Sequence, residues 1–218
     1  MTWRSTLGVA CLGSLGGCAL SGMHDPSLDA LPSSCSQALV VRADGAGSAR
    51  ATVVSYERCE GRWRARDRRP ATVGRSGIVA AAAKREGDGG TPAGMHAIGP
   101  AFGYAPTSAT KLVYRQATAQ DWWIDDPRSP AYNTWVVGKP DVSAEAMRRD
   151  DGQYELGAVL GWNTSPVVAG RGSAIFLHVW QAPDVATSGC VALARADVER
   201  MLAWLDATCD PRIVVVAP

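Results

Sequence analysis

The residues with the most chemical content are a histidine in an apolar run and a cysteine on a tight turn shortly after it. The run is Ala174-Ile-Phe-Leu-His178-Val-Trp180. Read as a strand, it places Ile175, Leu177 and Val179 on one face and Phe176, His178 and Trp180 on the other. The turn is Thr187-Ser188-Gly189-Cys190. A cysteine directly after a glycine can present its thiol at a sharp turn, whose backbone N–H groups can bind a developing oxyanion. An imidazole across the loop could take the thiol proton and later return it. The thiolate is the nucleophile, so the chemistry needs a neighbouring base. Taken singly, each residue also has a structural reading, because a buried cysteine behaves as a small hydrophobe.

These two residues must be held by a scaffold of short strands. The runs 39–42 and 52–56 are β-branched and flank the turn Asp44-Gly45-Ala46-Gly47, which predicts a hairpin. Further strands are expected at 112–115, 122–124, 135–137, 155–160, 174–180 and 212–217. Gly/Pro punctuation separates them at 87–94, 99–100, 126–127, 129–130 and 138–140. One helix is expected over 196–207, with Val198, Met201, Leu202 and Leu205 on one apolar face and Pro211 blocking its continuation. The expected fold class is therefore mainly β, a sandwich or barrel with one clear C-terminal helix. No linker divides residues 38–218, which are taken as one catalytic domain. The basic run Arg62 to Arg69 reads as a solvated strand end.

The chain has 218 residues, with 22 Lys+Arg against 21 Asp+Glu. That near-neutral balance argues against a nucleic-acid partner, which would favour a basic excess. Residues 1–17 carry one basic residue, Arg4, then a short apolar run and small residues. This is the layout of a signal peptide, and the run is too short to span a bilayer. Residues 15–18, Leu-Gly-Gly-Cys, resemble a bacterial lipobox, which implies lipidation of Cys18. With Ala19 after it, the analogy with bacterial lipoproteins implies the periplasmic face of the outer membrane, the alternative being a soluble periplasmic protein. Residues 18–37 are then a lipidated end and tether. Of six cysteines, Cys11 leaves with the signal and Cys18 takes the lipid. Among the rest, Cys35–Cys59 and Cys35–Cys209 are the competing disulfides if Cys190 stays free. No Cys/His spacing suggests a metal, and no cofactor is expected. The Gly-rich stretch 87–94 lacks the Lys-Ser/Thr of a phosphate loop.

Four segments together resemble the YkuD-type L,D-transpeptidase family. They are Lys84-Arg-Glu-Gly-Asp88-Gly-Gly-Thr91-Pro92-Ala-Gly94; Trp123-Ile-Asp125-Asp126-Pro127-Arg-Ser129-Pro-Ala-Tyr132-Asn133; Gly161-Trp162-Asn163 with Gly170-Arg-Gly172-Ser173-Ala-Ile-Phe-Leu-His178; and Thr187-Ser188-Gly189-Cys190-Val-Ala-Leu. The resemblance implies that Cys190 attacks a peptidoglycan stem peptide and that His178 is base, then acid for the departing D-amino acid. It implies that the main-chain carbonyl of Ser188 orients the imidazole and that N–H groups of Gly189 and Cys190 form the oxyanion hole. The broader family often has an Arg two residues after the cysteine; here it is Ala192. A substrate carboxylate then needs another partner among Lys84, Arg85, Arg128 and Arg171. Tyr132 and Asn133 either line the cleft or fix a turn. Trp122, Trp123, Trp162 and Trp180 either stack on sugar or fill a core. Lys84, Tyr132, Asn133, Trp162 and Trp180 are the substrate-binding candidates. Asp125-Asp126 reads as a turn cap before Pro127 rather than a catalytic pair, since adjacent strand residues face opposite ways.

Three functions fit these residues. The first is acyl transfer from a stem tetrapeptide through a thioester, forming cross-links or protein attachments. The second sends the same acyl group to water, making a wall peptidase or amidase. The third is a catalytically idle peptidoglycan-binding lipoprotein.

Overall fold

The computed structural model describes residues 25–217, so the expected signal peptide, Cys18 and the start of the tether lie outside the described residues. The strands in chain order are β1 (Gln37–Ala43), β2 (Arg50–Cys59), β3 (Arg62–Thr72), β4 (Ile78–Val79), β5 (Thr91–Pro92), β6 (Gly94–Gly103) and β7 (Tyr114–Gln116). Then come β8 (Asp121–Ile124), β9 (Trp135–Val137), β10 (Ala144–Ala146), β11 (Leu156–Leu160), β12 (Phe176–Val179), β13 (Val191–Leu193), the helix α1 (Arg195–Trp204) and β14 (Arg212–Val216). The fold is mainly β, as the residue patterns require. The main sheet runs β11-β12-β13-β3-β2-β1-β14-β6-β7, and a further pairing of β11 with β6 closes it into a barrel.

Side-chain alternation sorts each strand into an inward and an outward set. Leu39, Val41, Val53, Leu177, Val191 and Ile213 fill the interior, together with Val198, Met201 and Leu202 from α1 and Leu205 just after it. The outward set needs its own covers. Ala38, Val40 and Tyr56 are buried beneath Leu28, Leu31 and Cys35 of the N-terminal segment. Phe102, Val159, Phe176 and Cys190 are buried with Trp123 and Met147, which belong to a separate three-stranded sheet, β10-β8-β9, and the residue following it.

Several expectations are corrected. The tether reading fails from Asp25 onward. Asp25 caps a 3-10 turn at Pro26–Leu28, accepts from Arg42 at 2.6 Å and from Tyr56 at 3.2 Å, and Leu28 is fully buried. An amphipathic spacing too short for a pattern hid this. The basic run is no strand end but most of β3, paired with β2 along its length. Residues 99–100 are not a break but lie inside β6. There β6 exchanges one partner for another: Ala97 pairs with Arg212, Ile98 with Leu160 and Ala101 with Ala158. The intervening Gly99-Pro100 has no partner in either register, which is where a proline is tolerated in a sheet. The helix stops at Trp204 because Leu205 turns extended. Asp206 then caps a separate turn by accepting from the Thr208 N–H at 2.9 Å. Neither expected disulfide is present. Cys35 is a buried free thiol donating to the Gln37 carbonyl at 3.3 Å, flanked where Ser36 bonds to both Cys209 and Arg58.

Because Leu28 seals an outer face of the barrel, Leu28→Ala is expected to cost about 3 kcal/mol and lower Tm by about 10 °C. Thermal unfolding followed by circular dichroism checks this; an unchanged Tm would return the segment to a tether.

Candidate functional site

The pairing of β12 with β13 positions both chemical groups. These strands run parallel, with Leu177 opposite Val191 and His178 opposite Ala192. Leu177 and Val191 point into the barrel, so Phe176, His178 and Cys190 share the outward face beneath the three-stranded sheet. Gly189 enters this turn at φ 143°, and a Cβ there would lie 3.0 Å from the Gly90 carbonyl oxygen. Only glycine combines that backbone angle with that approach. Thr187 Oγ1 accepts from the Gly189 N–H at 3.1 Å and donates to the Cys190 carbonyl at 2.7 Å. Thr91 Oγ1 accepts from the Gly74 N–H at 2.8 Å and donates to the Cys190 carbonyl at 3.4 Å, so the glycine-rich stretch buttresses the cysteine loop.

His178 is 3% exposed and its Nδ1 lies 2.8 Å from the Val179 carbonyl. With Nδ1–H donating there, a neutral ring carries its lone pair on Nε2, the nitrogen a general base needs. The orienting carbonyl is thus that of Val179, not Ser188; Ser188 is exposed, and its hydroxyl accepts from Arg75 at 3.4 Å. Burial lowers the His178 pKa to about 4. Cys190 is 6% exposed; burial first, and the Glu145 carboxylate second, raise its pKa to about 12. Sγ donates to the Ala174 carbonyl at 3.2 Å and accepts from the Phe176 N–H at 3.3 Å. The resting pair is therefore a neutral thiol and a neutral imidazole on one face, not hydrogen-bonded to each other. Of the two N–H groups expected to form an oxyanion hole, that of Gly189 is already taken by Thr187.

The substrate-binding candidates are mostly buried and engaged with protein partners. Lys84 is 2% exposed and paired with Asp88 at 2.7 Å. Tyr132 is buried and donates to the Glu86 carboxylate, which also accepts from Ser173 at 2.8 Å. Asn133 stands in the left-handed region at φ 57° with its amide fully used. Its Oδ1 accepts from Trp123 Nε1 at 2.9 Å and the Ala174 N–H at 3.1 Å, and Nδ2 donates to the carbonyls of Trp162 at 3.1 Å and Asn163 at 2.7 Å. Trp162 joins the barrel interior, and Trp180 is half-buried just past β12, its N–H donating to Leu193 at 2.8 Å. Asp126 accepts from the Arg128 N–H and guanidinium at 2.9–3.0 Å, the turn role expected of it.

Three residues that the sequence did not single out surround the pair. The Tyr154 ring meets His178 edge-on, 5.3 Å between centroids, and its hydroxyl donates to Glu145 at 2.6 Å. Arg149 lies 5.1 Å over the Tyr154 ring and is held by Asp151 at 3.0 Å. Burial raises the Glu145 pKa. These residues come from β10 and the loop before β11, with no motif or periodicity to mark them.

Two outcomes are expected. Asn133→Ala strands four partners and costs about 3 kcal/mol; urea unfolding reads it, and a loss below about 0.5 kcal/mol would contradict the bonding described. Buried, neutral His178 resists protonation, whereas the unfolded chain binds a proton near pH 6.5. Stability is then complete above pH 6.5 and falls by about 3 kcal/mol as pH drops to about 4. Buried His96, whose pKa is also lowered, adds to that fall. Tm measured against pH should show a shallower decline for His178→Gln; an identical curve would refute the assignment.

Comparison with curated proteins finds no match. A family model for the L,D-transpeptidase catalytic domain, YkuD, matches residues 41–216, nearly the whole described chain. The chain belongs to the YkuD L,D-transpeptidase catalytic-domain family, whose members are cysteine enzymes acting on peptidoglycan peptides.

Proposed function

We propose that this protein is a peptidoglycan L,D-transpeptidase with Cys190 as nucleophile and His178 as its base. The observation that carries the reading is the shared outward face of His178 and Cys190 on paired parallel strands, with Nδ1 tied to Val179 so that Nε2 is the acceptor. Nε2 takes the thiol proton as Sγ attacks the scissile carbonyl of a stem tetrapeptide. The C–N bond then breaks, the imidazolium returns the proton to the leaving D-amino acid, and a thioester remains. An acceptor amine attacks the thioester, an amide forms, and the thiol is restored. The Phe176 N–H, already 3.3 Å from Sγ, stabilises the thiolate as it develops. For this to begin, Sγ turns from the Ala174 carbonyl toward Nε2. Substrate entering beneath the three-stranded sheet brings polar groups to a face that otherwise favours the neutral pair.

The protein acts, in this reading, after export and from a lipid anchor at Cys18, which places it against the wall on the periplasmic side of the outer membrane. Incubation with a disaccharide-tetrapeptide, followed by mass spectrometry, tests the chemistry. The wild type is expected to gain an acyl mass and release a D-amino acid, and Cys190→Ala to do neither. Cross-linked product identifies an amine acceptor; a free carboxylic acid identifies water. An acyl adduct that persists in Cys190→Ala, or none in either protein, would overturn the assignment.

A further inference from the structure

A cavity of about 290 Å³ opens at the loop joining β11 to β12, lined by Trp162, Asn163, Thr164, Ser165, Val168 and Arg171 among others. Its wall is braced. Asn163 stands at φ 51°, its Nδ2 donates to the carbonyls of Val168 and Gly172 at 2.9 Å each, and its Oδ1 accepts from the Val168 N–H at 2.7 Å. The one charged residue of the lining is Arg171. Among the described residues it makes no ion pair. One guanidinium nitrogen, Nη2, donates to the Ala81 carbonyl at 2.8 Å, and Nε is buried without a partner. Its plane lies 5.8 Å from the Trp162 ring centroid. A pinned cation with spare donors at the rim of a cavity of mixed polar and apolar lining favours a carboxylate, which pairs with a guanidinium fork through two hydrogen bonds.

The cavity also adjoins the nucleophile. The carbonyls of Trp162 and Asn163 accept from Asn133, Asn133 accepts from the Ala174 N–H, and the Ala174 carbonyl accepts from Cys190 Sγ. That chain of bonds keeps the cavity within roughly 15 Å of Sγ, about the span of four extended residues. We propose that this cavity is a subsite of the substrate groove, in which Arg171 binds a carboxylate of the stem peptide a few residues from the scissile carbonyl. The proposal rests on the transpeptidase reading above.

The test uses the full-length Cys190→Ala protein, which binds without turnover, and calorimetry with a disaccharide-tetrapeptide and with the same compound converted to carboxamides. Amidation is expected to weaken binding tenfold or more. Adding Arg171→Gln is expected to bring the two ligands within about twofold. Because Arg171 also ties residue 81 to this loop, Arg171→Lys serves as a second variant; it keeps the charge, loses the fork and is expected to lose most of the discrimination. Equal affinity for the two ligands with Arg171 present overturns the subsite, as does discrimination that survives both substitutions. If the wild type still forms the acyl adduct in either case, the subsite alone has failed. If no adduct forms and neither ligand binds, the transpeptidase reading fails with it.

Discussion

The parallel pairing of β12 with β13 is the constraint on which the rest of the site depends. Strand residues alternate between faces, so seating Leu177 and Val191 in the barrel sends His178 and Cys190 outward together. An outward face rich in Phe176, Phe102 and Val159 cannot stay bare without leaving a large apolar patch in water. The three-stranded sheet covers it, and the catalytic candidates are buried as a consequence. Their protonation states follow from that cover, since burial disfavours both the thiolate and the imidazolium.

Burying polar chemistry demands that polar groups be satisfied, and much of the surrounding sequence does this. Asn133 uses all four bonds of its amide to join the small sheet, the 161–172 loop and the strand leading to His178. Glu86 accepts from Tyr132 and Ser173, and Lys84 pairs with Asp88. A group left unpaired in such surroundings costs about 1–3 kcal/mol, so these contacts act as a frame of fixed geometry. Charge is arranged with equal economy around the pair. Glu145 raises the thiol pKa while Arg149 and Lys84 lower it, and Tyr154 ties Glu145 to the wall of the imidazole.

Much of the scaffold was legible because local patterns carried it. The hairpin of β1 and β2, the strand bearing His178, the apolar face of α1 and the last strand all follow from period-2 or period-3.6 spacing. β3 was hidden because alternating exposed arginines look like a solvated run, and β6 because its proline sits where the strand changes partner. The covers over the two outer faces were the hardest to read. Leu28, Leu31 and Cys35 are too few and too irregularly spaced to announce a buried face, and β10 is only three residues long.

By itself, the sequence determined the residue types that can do acyl-transfer chemistry, their order along the chain and the family to which the motifs point. Residue type and short-range spacing are covalent facts, and reactivity of a thiol or an imidazole is intrinsic to them. Tertiary structure decided which carbonyl orients His178, that the Gly189 N–H is taken by Thr187, and that Lys84, Tyr132 and Asn133 are buried in ion-pair and hydrogen-bond contacts. It also decided that Glu145, Arg149 and Tyr154 stand beside the nucleophile. Those outcomes depend on segments tens of residues apart meeting through strand pairing and burial, and no local pattern encodes which carbonyl ends nearest a ring nitrogen.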